Sequence, residues 1–337
     1  MKLAIYTRPT DSYGILVIVE HLINMSDSIG IPCRHITSLE EARQDEIVIP
    51  YGTLETASMI NMGKTPLISL LVDAISLGAK NKVRFYSIVG HIWHKDYIST
   101  LLKYIKWQYL DKKIARNVPN IMLVSESDGN YLKKFNPNIN ILVCPNGVND
   151  AVIKPHVPSD KLRLGILSSW GDENTYEENN WFIRKYFLKY AKHNPNVELV
   201  LAGRGKLIER LRGLPQVSVM GAVDDLADFF ADIDIFVGAN PKGCGILNRC
   251  LDAFMYQVPV IGINGAFSGF NYMKDSFLVF ENYNGFVDSV ERLRRNNALR
   301  DALVKNALKE IKENNNWEKN LGNLLEQIKK IVEKNKD

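Results

Sequence analysis

Long apolar runs are missing from this sequence. The best candidates, Ile15–Val19 and Leu67–Leu77, are ended or interrupted by Glu20-His21 and Asp73. They fall well short of the roughly 20 residues of a membrane span, which excludes a transmembrane helix. A surplus of one charge is missing too. Against 42 Lys and Arg stand 38 Asp and Glu, a net charge of +4; the dense basic stripe of a nucleic-acid binder is absent, and no nucleic-acid partner is expected. Cysteine is scarce. Cys33, Cys144, Cys244 and Cys250 stand far apart or inside apolar runs, with no C-x-x-C pair and no matching histidine cluster for zinc. A reduced, cytoplasmic compartment is the expectation. Met1–Tyr6 opens as a strand and lacks a signal-peptide h-region or cleavage site, so the mature chain is expected to start here. The sequon Asn24-Met25-Ser26 would matter only in a secretory setting.

Several motifs are present only in part. Gly63-Lys64-Thr65 ends like a Walker A loop, but the glycine required five positions earlier is Ser58, so a turn is expected there. Gly203-Arg204-Gly205 lacks the third glycine of a dinucleotide fingerprint and the acidic residue at the following strand end. Asp232-Ile233-Asp234 has the form of a metal-binding D-x-D but leads straight into a predicted strand, and no essential metal or other cofactor is expected.

What is present is a repeated alternation. Short β-branched runs at Lys2–Tyr6, Glu46–Ile49, Val83–Ile88, Ile121–Ser125 and Ile141–Cys144 predict strands with helical stretches between them. A second series follows at Leu162–Leu167, Glu198–Ala202, Val217–Met220, Ile233–Val237, Val258–Ile263 and Phe277–Phe280. Such alternation predicts α/β architecture with parallel sheets, and 337 residues suffice to bury two cores. Pro145-Asn146-Gly147-Val148, followed by Pro155 and Pro158, marks the linker. Residues 1–150 and 151–316 are the expected domains. After the Asn314-Asn315-Asn316 break, an amphipathic helix over 317–337 carries Leu321, Leu324, Leu325, Ile328 and Ile331, a face that needs a surface to cover.

The most informative block runs Gly243-Cys244-Gly245-Ile246-Leu247-Asn248-Arg249-Cys250-Leu251-Asp252-Ala253. It reads as a glycine loop opening a helix, where main-chain N–H groups and the helix N-terminus favour a phosphate. Arg249 and Asp252, three apart, share one helix face. That spacing suits an arginine on a diphosphate and an aspartate on a ribose hydroxyl; a surface ion pair on a packed helix is the alternative.

This block resembles the family-4-type retaining glycosyltransferases of GT-B fold, the glycosyl transferases group 1. Val197–Leu201 with Ala202-Gly203-Arg204-Gly205, the turn Met220-Gly221-Ala222-Val223-Asp224-Asp225-Leu226, and Asp252–Val260 are similar to successive stretches of that family. So are Leu293–Leu303, Trp317-Glu318, Ile121–Asp128 and Pro145–Val148, so that about two-thirds of the chain follows the family order. The resemblance implies two Rossmann-like domains facing a cleft, with the last helix crossing back to the N-terminal one. It further implies a UDP- or GDP-sugar donor in the C-terminal half, a glycan or lipid-linked acceptor, retention of configuration and no metal. By the same resemblance, diphosphate falls to Gly243, Gly245, Ile246 and Arg249, ribose to Asp252, and base to Arg204, Gly221 and Val223. Lys206 or Lys242 is expected to add charge at the phosphates, with Ser168 contributing. Tyr13-Gly14 stands where the family has a glycine-rich loop, and His91, with His94 as competitor, where the family has a histidine beside the donor sugar. The sequence also departs from the pattern. The family's two glutamates eight positions apart are here Cys244 and Asp252, and its Gly-Arg and Lys after the first C-terminal strand are replaced by Ser168-Ser169-Trp170-Gly171.

Residues 97–116 mix Leu101, Leu102, Tyr104, Ile105, Trp107, Tyr109 and Leu110 with Lys103, Lys106, Lys112, Lys113 and Arg116. Two readings stand: a helix packed on the sheet with lysine stems along its edge, or an interfacial helix touching the inner face of a membrane. Three functional alternatives to a transferase also stand: a sugar-nucleotide epimerase of the same fold, for which no acid/base carboxylates present themselves; a non-catalytic nucleotide-sugar-binding partner subunit; and, least favoured, a dehydrogenase.

Overall fold

The computed structural model describes residues 1–9, 13–88, 95–241, 243–273 and 275–335. Contacts divide the chain into two units, one of Met1–Gly147, Cys244–Ile246 and Asn314–Asp337, the other of Val148–Gly243 and Leu247–Glu313.

In the first unit, β1 (Lys2–Tyr6), α1 (Tyr13–Ser28), β2 (Cys33–Ile36), β3 (Glu46–Pro50), α2 (Thr53–Asn61), β4 (Ile68–Val72), α3 (Ile75–Ile88), α4 (Lys95–Asn117), β5 (Asn120–Leu123), α5 (Glu126–Leu132) and β6 (Asn140–Val143) follow in order. All pairings are parallel, in the orders β2-β1-β3 and β4-β5-β6, and the bridge Tyr51–Leu70 links the two sets. Two strands escaped the sequence reading. Cys33–Ile36 is short and carries Arg34 and His35, and Ile68–Val72 is a continuous apolar run without alternation, buried from Ile68 to Leu71. One expected strand is wrong: residues 83–88 are the second half of α3. In so short a window, Val83, Phe85 and Ser87 alternate like a strand, and only the helix begun at Ile75 decides the period.

The chain returns to this unit at its end. α12 (Trp317–Lys334) buries Leu321, Leu324, Leu325, Ile328 and Val332 in one cluster with Leu3, Ile5, Val19, Leu22 and Leu70. Its start is fastened by polar bonds: Asn315 Nδ2 donates to Asn146 O at 2.7 Å, and Asn320 Nδ2 donates to Pro145 O at 2.9 Å and Asn314 O at 2.7 Å. Trp317 stacks on His21 with ring centroids 4.9 Å apart, and a Cβ on Gly147 would lie 2.3 Å from the Trp317 ring. The Pro-Asn-Gly turn is glycine-terminated because an indole occupies that space.

The second unit comprises β7 (Leu162–Leu167), α6 (Glu173–Phe182) continuing through a wider turn into α7 (Leu188–Ala191), β8 (Val197–Ala202), β9 (Val217–Gly221), α8 (Leu226–Ala231), β10 (Ile235–Gly238), α9 (Asn248–Met255), β11 (Val260–Ile263), β12 (Leu278–Phe280), α10 (Tyr283–Arg295) and α11 (Asn297–Asn314). Its six strands are parallel in the order β12-β11-β10-β7-β8-β9. This is the doubly wound Rossmann order, with the topological switch between β7 and β10. Phe182, Phe187, Phe280 and Phe286 pack beside Leu164, Leu199 and Ile235 in its core.

Candidate functional site

At the carboxyl end of β7 the chain turns through Ser168-Ser169-Trp170-Gly171 against the loop that follows β8. Ser168 N donates to Ala202 O at 3.0 Å, Trp170 N to Arg204 O at 2.7 Å, Trp170 Nε1 to Ala202 O at 2.9 Å and Leu207 N to Trp170 O at 3.1 Å. Trp170 is wholly buried. Two glycines permit this closeness. Gly203 and Gly205 have φ of +122° and +131°, and a Cβ would stand 1.8 Å from Ser168 O in the first case and 2.1 Å from Trp170 C in the second. Gly203 N also donates to Gly221 O at 2.7 Å, which brings the end of β9 into the same edge.

From the other side of the switch point comes α9. Its apolar residues Cys250, Leu251, Ala253 and Phe254 are buried, leaving Arg249 and Asp252 together on a half-buried flank. The N-cap is Leu247, which supplies no side-chain cap. Arg249 Nη1 donates to Ser168 Oγ at 3.2 Å, and Asn179 Nδ2 of α6 donates to the same oxygen at 2.9 Å. Burial draws the Arg249 guanidinium below its ordinary range, while Glu178, Asp252 and Asp172 partly restore it. Burial likewise pushes Asp252 up to about 6, against the opposing pull of Arg249. The pair therefore sits in a poorly hydrated setting, where charges interact more strongly than they do in water.

Residues 163–296 match the family model of glycosyl transferases group 1. This stretch is a glycosyl transferases group 1 domain. The chain is accordingly a transferase, and its fold is that of the GT-B enzymes. Sucrose-phosphate synthase from Thermosynechococcus elongatus is similar with a TM-score of 0.73 at 13% identity, over 98% of this chain and 99% of that one. HepE from Anabaena, solved with UDP and glucose, is similar with a TM-score of 0.65 at 12% identity, over 98% of this chain and 99% of that one. The pneumococcal O-GlcNAc transferase GtfA, solved with UDP and GlcNAc, gives 0.58 at 11% identity over 87% of this chain and 58% of that one. At such identities the likeness is one of fold. Among curated proteins, none matches the chain in sequence.

Within the glycosyltransferase domain, Ser168, Gly203, Arg204, Gly221 and Arg249 lie along the carboxyl edge of one sheet, where open α/β sheets bind ligands. Arg204 and Lys206 are exposed there, and Val223 follows two residues after β9. Glu178 and Asn179 were not singled out from sequence. The asparagine that orders Ser168 comes from a helix eleven residues on, and only the fold brings it back. Gly243 has φ of +60° and Gly245 +62°. The three residues Cys244–Ile246 belong by their contacts to the first unit. There the Gly245 N–H, expected to face a phosphate, donates to Asp128 Oδ2 at 2.8 Å, and Asp128 also accepts from Ala74 N at 2.9 Å and from the Ser125 hydroxyl. A Cβ on Gly245 would meet Asp73 Oδ2 at 3.1 Å. Tyr13 and Gly14 open α1, but their side chains, together with His91, His94 and Lys242, lie outside the described residues. The placement of His91 behind a strand ending near residue 88 does not stand, because that segment is helical.

Asp232 and Asp234 are engaged by basic side chains at the edge of the sheet: Asp232 pairs with Arg163 at 2.5 Å, and Asp234 lies 3.4 Å from His156 and 3.5 Å from Arg300. A cavity of about 510 Å³ beside them, bordered by Ile233, Asp234, Val258 and Pro259, opens at the amino ends of β10 and β11, away from Arg249.

Proposed function

We propose that this glycosyltransferase moves a hexose-type sugar from a nucleoside-diphosphate sugar to a hydroxyl of a glycan, lipid-linked or small-molecule acceptor, with retention of configuration, and that the second unit holds the donor nucleotide. The observation that carries this reading is the Arg249–Ser168 hydrogen bond across the switch point between β7 and α9. Ser168 Oγ already accepts from both Arg249 and Asn179, so its own proton remains to donate to a phosphate oxygen. Arg249 supplies a planar cation to the diphosphate. One turn on, Asp252 accepts from ribose hydroxyls, while Gly221–Val223 and Arg204 border the base. UDP in the structures of HepE and GtfA supports a uridine donor as the first to be tried.

In the transfer, the bond between the anomeric carbon and the phosphate oxygen breaks and the diphosphate departs with the electron pair. The acceptor oxygen bonds to the anomeric carbon and its proton is released. Charge grows on the leaving diphosphate, so a fixed cation and oriented donors there lower the barrier without reorganising during the reaction.

A ligand that binds only the folded state raises the melting temperature. Thermal shifts with UDP, GDP, ADP and dTDP are expected to single out one base, and Arg249→Ala and Asp252→Ala are expected to lose that shift while remaining folded. Equal shifts in wild type and both variants would remove these residues from the site. No shift with any nucleotide would overturn the reading.

A further inference from the structure

The first unit carries a surface that nucleotide chemistry does not use. On α4, Ile98, Leu102, Ile105 and Tyr109 are 53%, 62%, 56% and 65% exposed. At 3.6 residues per turn these four fall within an arc of about 60°, a stripe roughly 16 Å long. The opposite side of the helix is the packed one, with Thr100, Asp111, Ile114 and Ala115 buried. Large apolar side chains in solvent are unremarkable singly, but a continuous row along one helix marks a contact surface.

Charge identifies the occupant. Residues 75–117, the span of α3 and α4, contain nine Lys and Arg against only Asp96 and Asp111, a net of +7 in a chain whose total is +4. From 97 to 117 the sole acid is Asp111, and it is buried, with its carboxylate accepting from Ser76 N at 2.9 Å and Ser76 Oγ at 2.6 Å. Lys103, Lys106, Lys112 and Arg116 are exposed on the same helix, and Lys80 and Arg84 are exposed on the neighbouring α3. Half-buried Trp107, with Lys106 Nζ 5.5 Å from its ring centroid, adds an amphipathic ring at the border. An apolar stripe flanked by cations on flexible stems matches the surface of a bilayer bearing anionic headgroups: the apolar tips enter the acyl boundary while the ammonium groups remain among phosphates.

We infer that α4 docks the protein, lying flat, on a membrane surface rich in anionic phospholipid. The inference rests on the first unit alone and holds whether or not the donor reading does.

The test is co-sedimentation of the full chain with vesicles of phosphatidylcholine alone and of phosphatidylcholine mixed with phosphatidylglycerol. Binding is expected only to the anionic vesicles and is expected to fall as salt rises. Leu102→Glu/Ile105→Glu, at exposed positions, is expected to weaken that binding by about tenfold or more, as is Lys103→Glu/Lys106→Glu, since both apolar insertion and headgroup attraction contribute. Val152→Glu, an exposed apolar site on the second unit, is expected to bind as wild type does. Melting temperature and any nucleotide shift are expected to stay unchanged in all three. No binding of wild type to anionic vesicles at low salt, or equal binding by the α4 variants, would overturn the inference. So would a wild-type dimer in solution that the Leu102→Glu/Ile105→Glu change dissociates, since the stripe would then be a contact between copies of this chain.

Discussion

Arg249 is held by geometry and penalised by burial at once. Its hydrogen bond to Ser168 fixes the guanidinium, while desolvation lowers its hold on the proton. Arg249→Lys keeps a charge but loses the planar fork, so the nucleotide shift is expected to shrink without vanishing, an intermediate that Arg249→Ala does not give. Asp252 makes a separate prediction through pH. Its carboxyl is pushed up from 3.8 to about 6 in the folded chain. Between those values the folded state keeps a proton that the unfolded chain has released, so this group's contribution to stability is full at low pH and is lost as pH rises through about 6. Asp252→Asn is expected to flatten the melting temperature against pH over that window. The flattening is only partial, because buried Asp111, also raised to about 6, acts in the same direction. An unchanged profile would mean that Asp252 is better solvated than its surroundings indicate.

Among the elements, the loops after β7 and β8 are coupled through backbone rather than side chains. Gly203→Ala places a methyl against Ser168 O and demands a left-handed backbone from alanine. A loss of about 1–3 kcal/mol is expected by denaturant titration, together with weaker nucleotide binding because Ser168 must move. Gly322 in α12 is the opposite case, since nothing lies within 4 Å of a Cβ there. Gly322→Ala is expected to stabilise the chain by about 0.5–1 kcal/mol, as alanine replaces glycine inside a helix. Legibility differed between elements for physical reasons. β7 was readable to the residue, Leu162–Leu167, because turn formers and charges bound it. Residues 83–88 were not, because six residues cannot separate a strand from the tail of a helix whose start lies eight residues upstream.

On the scale of the whole molecule, the last helix belongs to the first core. Leu324 is 1% exposed among Leu3, Ile5, Val19 and Leu70. Leu324→Ala is expected to cost about 2–5 kcal/mol in denaturant unfolding, the range for a large core side chain cut to a methyl. Removing residues 317–337 is expected to leave the first unit unable to fold cooperatively, because α1 and the sheet would lose the surface that covers them. A truncated chain with an unchanged unfolding transition would refute that dependence. The Trp317 ring against Gly147 and the Asn315 and Asn320 bonds to the Pro-Asn-Gly turn are the places where this return is fixed.

What the sequence determined by itself was whatever is written locally. Period-two and period-3.6 patterns gave the α/β class, the glycine-bearing block marked α9, and the spacing of Arg249 and Asp252 put them on one helix face. The tertiary structure alone decided what depends on distant segments meeting. Asn179 reaches Ser168 and Ser168 reaches Arg249 across 81 residues of chain. Asp128 claims the Gly245 amide across 117. Hydrogen bonds between such partners leave no periodicity in either segment, because each residue type is set by a neighbour that becomes a neighbour only on folding.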